Sequence, residues 1–166
     1  MSDSIELYLL RHAHAGGPAE WDGPDEKWPL SLKGEKQTDR LARFLAGIGF
    51  QPDAIITSPK VRAAQTAEIL AQRVGMPVGL DERLAGDLGT SSLEAILRDA
   101  GDPARPVLVG HDPDFSSLVG MLCGAGNVPM RKGALARIDI RRPLQPGRGE
   151  LRWLVPPDLL RPAAKT

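Results

Sequence analysis

The chain contains a single cysteine, Cys123, carries no net charge and has no long apolar run. Each shortfall excludes something. One cysteine cannot pair within the chain. Together with an N-terminus that lacks a basic segment followed by an apolar one, it leads to the expectation of a reducing, cytoplasmic setting without export. Cys123 itself is read as a small core residue, because nothing near it in sequence would stabilise a thiolate. The 21 Lys+Arg against 21 Asp+Glu give a formal net charge of +0, which argues against a general nucleic-acid or membrane-surface binder and makes any positive potential local. No stretch approaches the roughly 20 apolar residues of a membrane span, and no internal repeat or low-complexity tract is present. A chain of 166 residues buries on the order of two thirds of its unfolded surface, so its core can hold it together without a disulfide or a structural metal. One domain is expected over residues 1–158, with 159–166 as a frayed tail.

What the chain does have is alternation. Strand-like runs fall at Ile5–Leu10, Ala54–Thr57, Val107–Val109, Ala134–Ile140 and Glu150–Val155, with a weaker one at Val78–Leu80. Helical patterns lie between them. The first covers about Leu32–Ile48, with Leu41, Phe44, Leu45 and Ile48 as its stripe and Gly49 as its stop. The second opens at Ser58-Pro59 and ends at Gly75, and the third runs from a capping box at Ser91-Ser92-Leu93-Glu94 to Gly101. A fourth opens at Asp112-Pro113 and fades near Gly124. The pattern predicts an α/β fold, a three-layer α/β/α sandwich with a mostly parallel sheet. The last two strands form an antiparallel hairpin at its edge. Gly16–Pro29 reads as a long loop.

Three predicted strands end on polar residues. The first delivers Arg11 and His12, the second Ser58 with Arg62 just inside the next helix, and the third His111. In a parallel sheet these ends share one edge, where open α/β folds bind ligands. Free amides at the starts of the second and fourth helices favour an anion there. Two arginines, two histidines and these amides describe a pocket for a phosphoryl dianion. A neutral imidazole, held by a backbone carbonyl through one nitrogen, can attack phosphorus through the other. Arg11, Arg62 and a protonated His111 would neutralise the charge without a metal. The attack is assigned to His12, because His111 sits beside Asp112, which would favour a charged imidazole.

These residues carry a family resemblance. Leu10-Arg11-His12, Ser58-Pro59-x-x-Arg62-Ala63-x-Gln65-Thr66-Ala67 and Val109-Gly110-His111-Asp112-Pro113 resemble the histidine phosphatase superfamily, which also contains the phosphoglycerate mutases. The short length, Pro29-Leu30-Ser31-x-x-Gly34 and the C-terminal hairpin are most similar to its SixA-type phosphohistidine phosphatases. The likeness runs from Ile5 to about Val155. It implies His12 as the phosphorylated nucleophile, Arg11, Arg62 and His111 as the phosphate clamp, and neither cofactor nor metal; Ser58, at the same sheet edge, is also expected to bind substrate. Two positions depart from the family. Its glycine after the catalytic histidine is Ala13 here, and a positive φ there would carry strain. Its carboxylic acid, which protonates the leaving oxygen, corresponds best by position to Glu82, with Asp87 and Asp25 as further candidates.

An alkoxide leaving group needs a proton donor, whereas a phosphohistidine imidazole can carry its own. The expected function is therefore a metal-independent phosphatase acting on phosphohistidine in a partner protein. Three alternatives stand beside it: a small-molecule phosphomonoesterase of the same superfamily, a binding module for phosphorylated partners, and a metal-dependent hydrolase using His12, His14, His111 and Asp112. Trp21 and Trp28 either rim the pocket or anchor the loop. Arg141 and Arg142 read as solvated hairpin charges.

Overall fold

The computed structural model describes residues 3–162. Six strands form one sheet: β1 Ser4–Arg11, β2 Ala54–Thr57, β3 Gly79–Leu80, β4 Pro106–Gly110, β5 Leu135–Arg141 and β6 Glu150–Val155, in the order β3-β2-β4-β1-β5-β6. The first four of that order are mutually parallel. β5 runs antiparallel to β1, and β6 antiparallel to β5, so the hairpin is at the edge as the turn-rich segment 143–149 predicts. The helices are α1 Leu32–Gly47, α2 Val61–Val74, α3 Thr90–Asp99 and α4 Asp114–Leu122.

β1 lies between β4 and β5 and is apolar on both sides, as a central strand covered twice must be. Leu7 and Leu9 face one core cluster with Leu93, Ile96 and Leu97 of α3 and Phe115, Leu118 and Leu122 of α4. Tyr8 and Leu10 face the other, with Leu41, Ala42 and Leu45 of α1 and Ala63, Ala67 and Leu70 of α2. The sandwich is thus read directly from the alternation along one strand. No helix among the described residues is long and apolar enough to cross a membrane.

Several local expectations are corrected. The buried stripe of α1 is Gly34, Thr38, Leu41, Ala42 and Leu45, while Phe44 and Ile48 are exposed. α2 begins at Val61 rather than at Ser58-Pro59; the Ser58 hydroxyl accepts the Lys60 amide and also meets a histidine ring. At α3 it is the Ser92 hydroxyl that holds the Gly89 backbone. Glu94, expected in a capping box, binds Arg142 and the Leu144 amide instead. Arg142 also pairs with Asp102, so it is a tie between the hairpin and α3 rather than a solvated charge. Arg141 is exposed. The tail is ordered further than expected: Pro157–Leu160 form a 3-10 turn and Leu160 packs on the second cluster, while residues 163–166 lie outside the described part.

Candidate active site

Strand register builds the site. Arg11 is opposite Gly110 in the β1–β4 pair, and Thr57 is opposite Val109 in the β2–β4 pair. The residues that follow, His12, His111 and Ser58, therefore leave the sheet side by side. Backbone bonds from His12 to Gly110 and from Ser58 to Val109 fix the register one residue beyond the strands. The imidazoles of His12 and His111 stand with centroids 5.2 Å apart. Around them is a cavity of about 430 Å³, lined by Arg11, His12, Trp28, Lys60, Arg62, Asp87, His111, Asp112, Asp114 and Lys132 among others.

His12 is 6% exposed, and its Nδ1 lies 2.8 Å from the Ala13 carbonyl oxygen. A carbonyl can only accept, so Nδ1 carries the proton and Nε2 keeps its lone pair. Burial, with added repulsion from Arg62, Arg11 and Lys132 and despite the Ala13 bond, pushes its pKa down to about 4. The ring is neutral at physiological pH, the form an attack on phosphorus needs.

His111 departs from expectation. Burial, followed by the charges of His12, Arg62 and Lys60, brings its pKa down to about 3. Asp112 does not keep this ring charged, because its carboxylate serves Arg11 at 3.4 Å and Ser116 at the start of α4. The same carboxylate caps the Ser116 amide, so this part of the α4 N-terminus is already satisfied. Ser58, expected to bind substrate, is completely buried and absent from the cavity wall. Its Oγ sits 2.7 Å from His111 Nε2.

The cations are held from outside. Arg11 donates through Nη1 to the Met130 carbonyl at 2.7 Å. Arg62 donates to the backbone oxygen of Asp25 at 2.8 Å and pairs with its carboxylate at 3.2 Å, and Lys60 meets the same carboxylate at 3.1 Å. Partial burial opposes ionisation of Asp25, but the Lys60 bond and the Arg62 charge prevail and hold its carboxyl below the usual range. The Arg62 guanidinium lies 5.9 Å from the centre of the Trp28 ring, whose indole donates to the Ala15 carbonyl. Trp28 is thus both wall and anchor, while Trp21 braces the loop through Pro24. Among the described residues, the buried side-chain polar atoms without a partner are Arg11 Nε and His111 Nδ1. Both belong to residues that line this cavity.

A model of the histidine phosphatase superfamily (branch 1) matches residues 7–94. The chain belongs to the histidine phosphatase superfamily. It is 40% identical over 114 residues to an uncharacterized protein of Picosynechococcus, covering 67% of this chain and 68% of that one. It is 25% identical over 160 residues to the phosphohistidine phosphatase SixA of Escherichia coli, covering 92% and 94%. Its fold matches the solved protein histidine phosphatase SixA complexed with tungstate at a TM-score of 0.81 and 23% identity, over 95% and 100% of the two chains. It also matches a mycobacterial glucosyl-3-phosphoglycerate phosphatase at 0.68 and 19% identity, over 90% and 98%.

Within this superfamily frame, the two departures take physical form. Ala13 is fully buried and donates to the Thr66 hydroxyl, and the non-glycine residues with positive φ among those described are Asp87 and Asp102. Ala13 therefore sits without strain where the family has glycine. Glu82 is exposed at the start of a 3-10 turn and does not line the cavity. Asp87 and Asp114 do, and Asp114 is tied to the Leu88 amide. Asp87 makes no hydrogen bond or ion pair with a described residue. The metal-ligand reading does not assemble: His14 turns to Ser31 and Gly16, and no group of three or more potential ligands occurs among the described residues. Lys60 and Lys132 escaped the sequence reading. Lys60 lies inside the Ser58–Ala67 block and could have been found there, while Lys132 has no local signature. Cys123 packs at the edge of the first cluster, and burial pushes its thiol pKa up, as a core residue requires.

Proposed function

We propose that the protein is a metal-independent phosphatase that removes a phosphoryl group from phosphohistidine on a partner protein. His12 is its nucleophile. The observation that carries this reading is the orientation of His12: Nδ1 bound to the Ala13 carbonyl, Nε2 free, and the ring uncharged in a cationic cavity. In the first step Nε2 attacks phosphorus in line, the bond to the leaving nitrogen breaks, and the imidazole departs neutral, keeping the proton it already carries on its other nitrogen. Arg11, Arg62 and His111 hold the equatorial oxygens. In the second step water attacks the phosphohistidine on His12, inorganic phosphate leaves, and Nε2 recovers its lone pair.

A P–N substrate is favoured because Glu82, the acid suggested by position, stands outside the cavity. The likeness to SixA supports the same choice. The Asp87 carboxyl favours one rival: free of protein partners in the cavity wall, it could protonate an alkoxide, which would suit small phosphomonoesters.

The test is a substrate panel, phosphohistidine protein against sugar phosphates, with and without chelator, coupled to trapping of labelled phosphate. Faster release from the phosphoprotein, label on His12, loss of both in His12→Ala and indifference to chelator are expected. Faster turnover of the phosphomonoesters overturns the substrate, and loss of activity on chelation overturns metal independence.

A further inference from the structure

We propose that Ser58 is a positioning residue that fixes the tautomer of His111, so that Nδ1–H of that ring is the donor to a phosphoryl oxygen. This rests on the phosphatase reading for its consequence, but its geometry stands alone. The Ser58 Oγ accepts the Lys60 amide at 3.2 Å and lies 2.7 Å from His111 Nε2. A hydroxyl has one proton and two lone pairs. If Nε2 were protonated, Oγ would receive two N–H groups, and its own proton would be left in a fully buried position with no acceptor. The opposite assignment satisfies both the hydroxyl and Nε2: Oγ–H donates to Nε2, and the ring proton moves to Nδ1.

The unpartnered atoms say the same. Arg11 Nε is always a donor, so what it lacks is an acceptor. His111 Nδ1 is the other buried atom without a partner. With Nδ1 protonated, both deficits in the cavity wall are of one kind, and a single acceptor-only guest such as a phosphoryl group fills both. With Nδ1 bare, the guest would meet a lone pair. The uncharged His111 therefore needs no extra proton to serve the clamp, which reconciles its role with a buried, cation-surrounded setting. Ser58 acts on the reaction only through this ring.

The chain has three histidines, so their ring nitrogens can be resolved by nitrogen-15 correlation spectra of the full-length protein, with His111→Gln to assign the signal. A neutral ring protonated at Nδ1 is expected in the free protein, and one protonated at Nε2 overturns the proposal whatever the substrate proves to be. In Ser58→Ala the tautomer is no longer enforced. kcat/KM with phosphohistidine protein should fall on the order of tenfold at neutral pH, with a deficit constant across the neutral range, because the tautomer ratio of an uncharged ring does not depend on pH, and the variant's spectrum should show His111 shifted toward the Nε2-protonated form. Ser58→Thr should restore both rate and tautomer. No deficit, or a deficit with the His111 tautomer unchanged in the variant's spectrum, overturns the proposal. Orthovanadate binding read in parallel should weaken in Ser58→Ala, and an unchanged affinity counts against it. Failure of the wild-type protein to label His12 would instead sink the phosphatase reading and leave the tautomer measurement standing.

Discussion

Lowering the pH from about 7 to about 4.5 should destabilise this protein through the two buried rings of the candidate site. An unfolded histidine titrates near 6.5, whereas His12 and His111 hold their protons only near 4 and 3 when folded. Between these values the unfolded chain binds more protons than the folded one. The stability is therefore present in full above about 6.5 and drains away as pH falls. At about 1.4 kcal/mol per pH unit, each ring costs roughly 2.5 kcal/mol by pH 4.5, about 5 kcal/mol together. Typical domains hold only about 5–15 kcal/mol in all. Urea unfolding at the two pH values measures the loss, and His12→Asn isolates one ring, since an amide can keep the bond to the Ala13 carbonyl without titrating. The variant should lose about 2.5 kcal/mol less than the wild type on acidification. Equal losses in the two proteins would show that the folded His12 titrates normally, and would refute the account of an uncharged nucleophile created by burial.

Other consequences are equally direct. Arg62→Ala should reduce kcat/KM by about 10²–10³-fold, as loss of a principal transition-state donor does, and an unchanged rate would remove it from the clamp. Asp25→Asn should tighten inorganic phosphate by about two- to fivefold in calorimetric titration, since it relieves an exposed pairing worth at most about 1 kcal/mol; weaker binding would mean that Asp25 supports Arg62 rather than competing for it. Gly34→Ala should cost about 1–3 kcal/mol in urea unfolding and lower activity, because the added Cβ would press on the His14 carbonyl oxygen, against backbone that cannot step aside. A midpoint at or above wild type would place that turn of α1 further from His14.

The strands were legible because a central strand covered on both faces leaves an unbroken apolar signature, and polar residues at three such ends mark one sheet edge. Helix starts were less so. Ser58-Pro59 has the composition of a cap, yet the hydroxyl is taken by a histidine 53 residues away. Glu94 reads as a capping residue until Arg142 claims it across 48 residues. The same blindness misassigned the charge on His111: its neighbour Asp112 looks like a counter-ion in sequence, but in space it belongs to Arg11 and Ser116. Local spacing names the groups at a site. It does not say which of them spend their bonding capacity on one another.

The placement of β1 bears on how the site moves. Arg11 and His12 extend from a strand paired on both sides, and their amides bond to Ala134 and Gly110. Freeing either amide means opening the middle of the sheet, so both should exchange hydrogen on the timescale of whole-molecule unfolding, while the strap carrying Asp25 and Trp28 is free to breathe far more often. The loops at the rim can fluctuate without displacing the His12 ring.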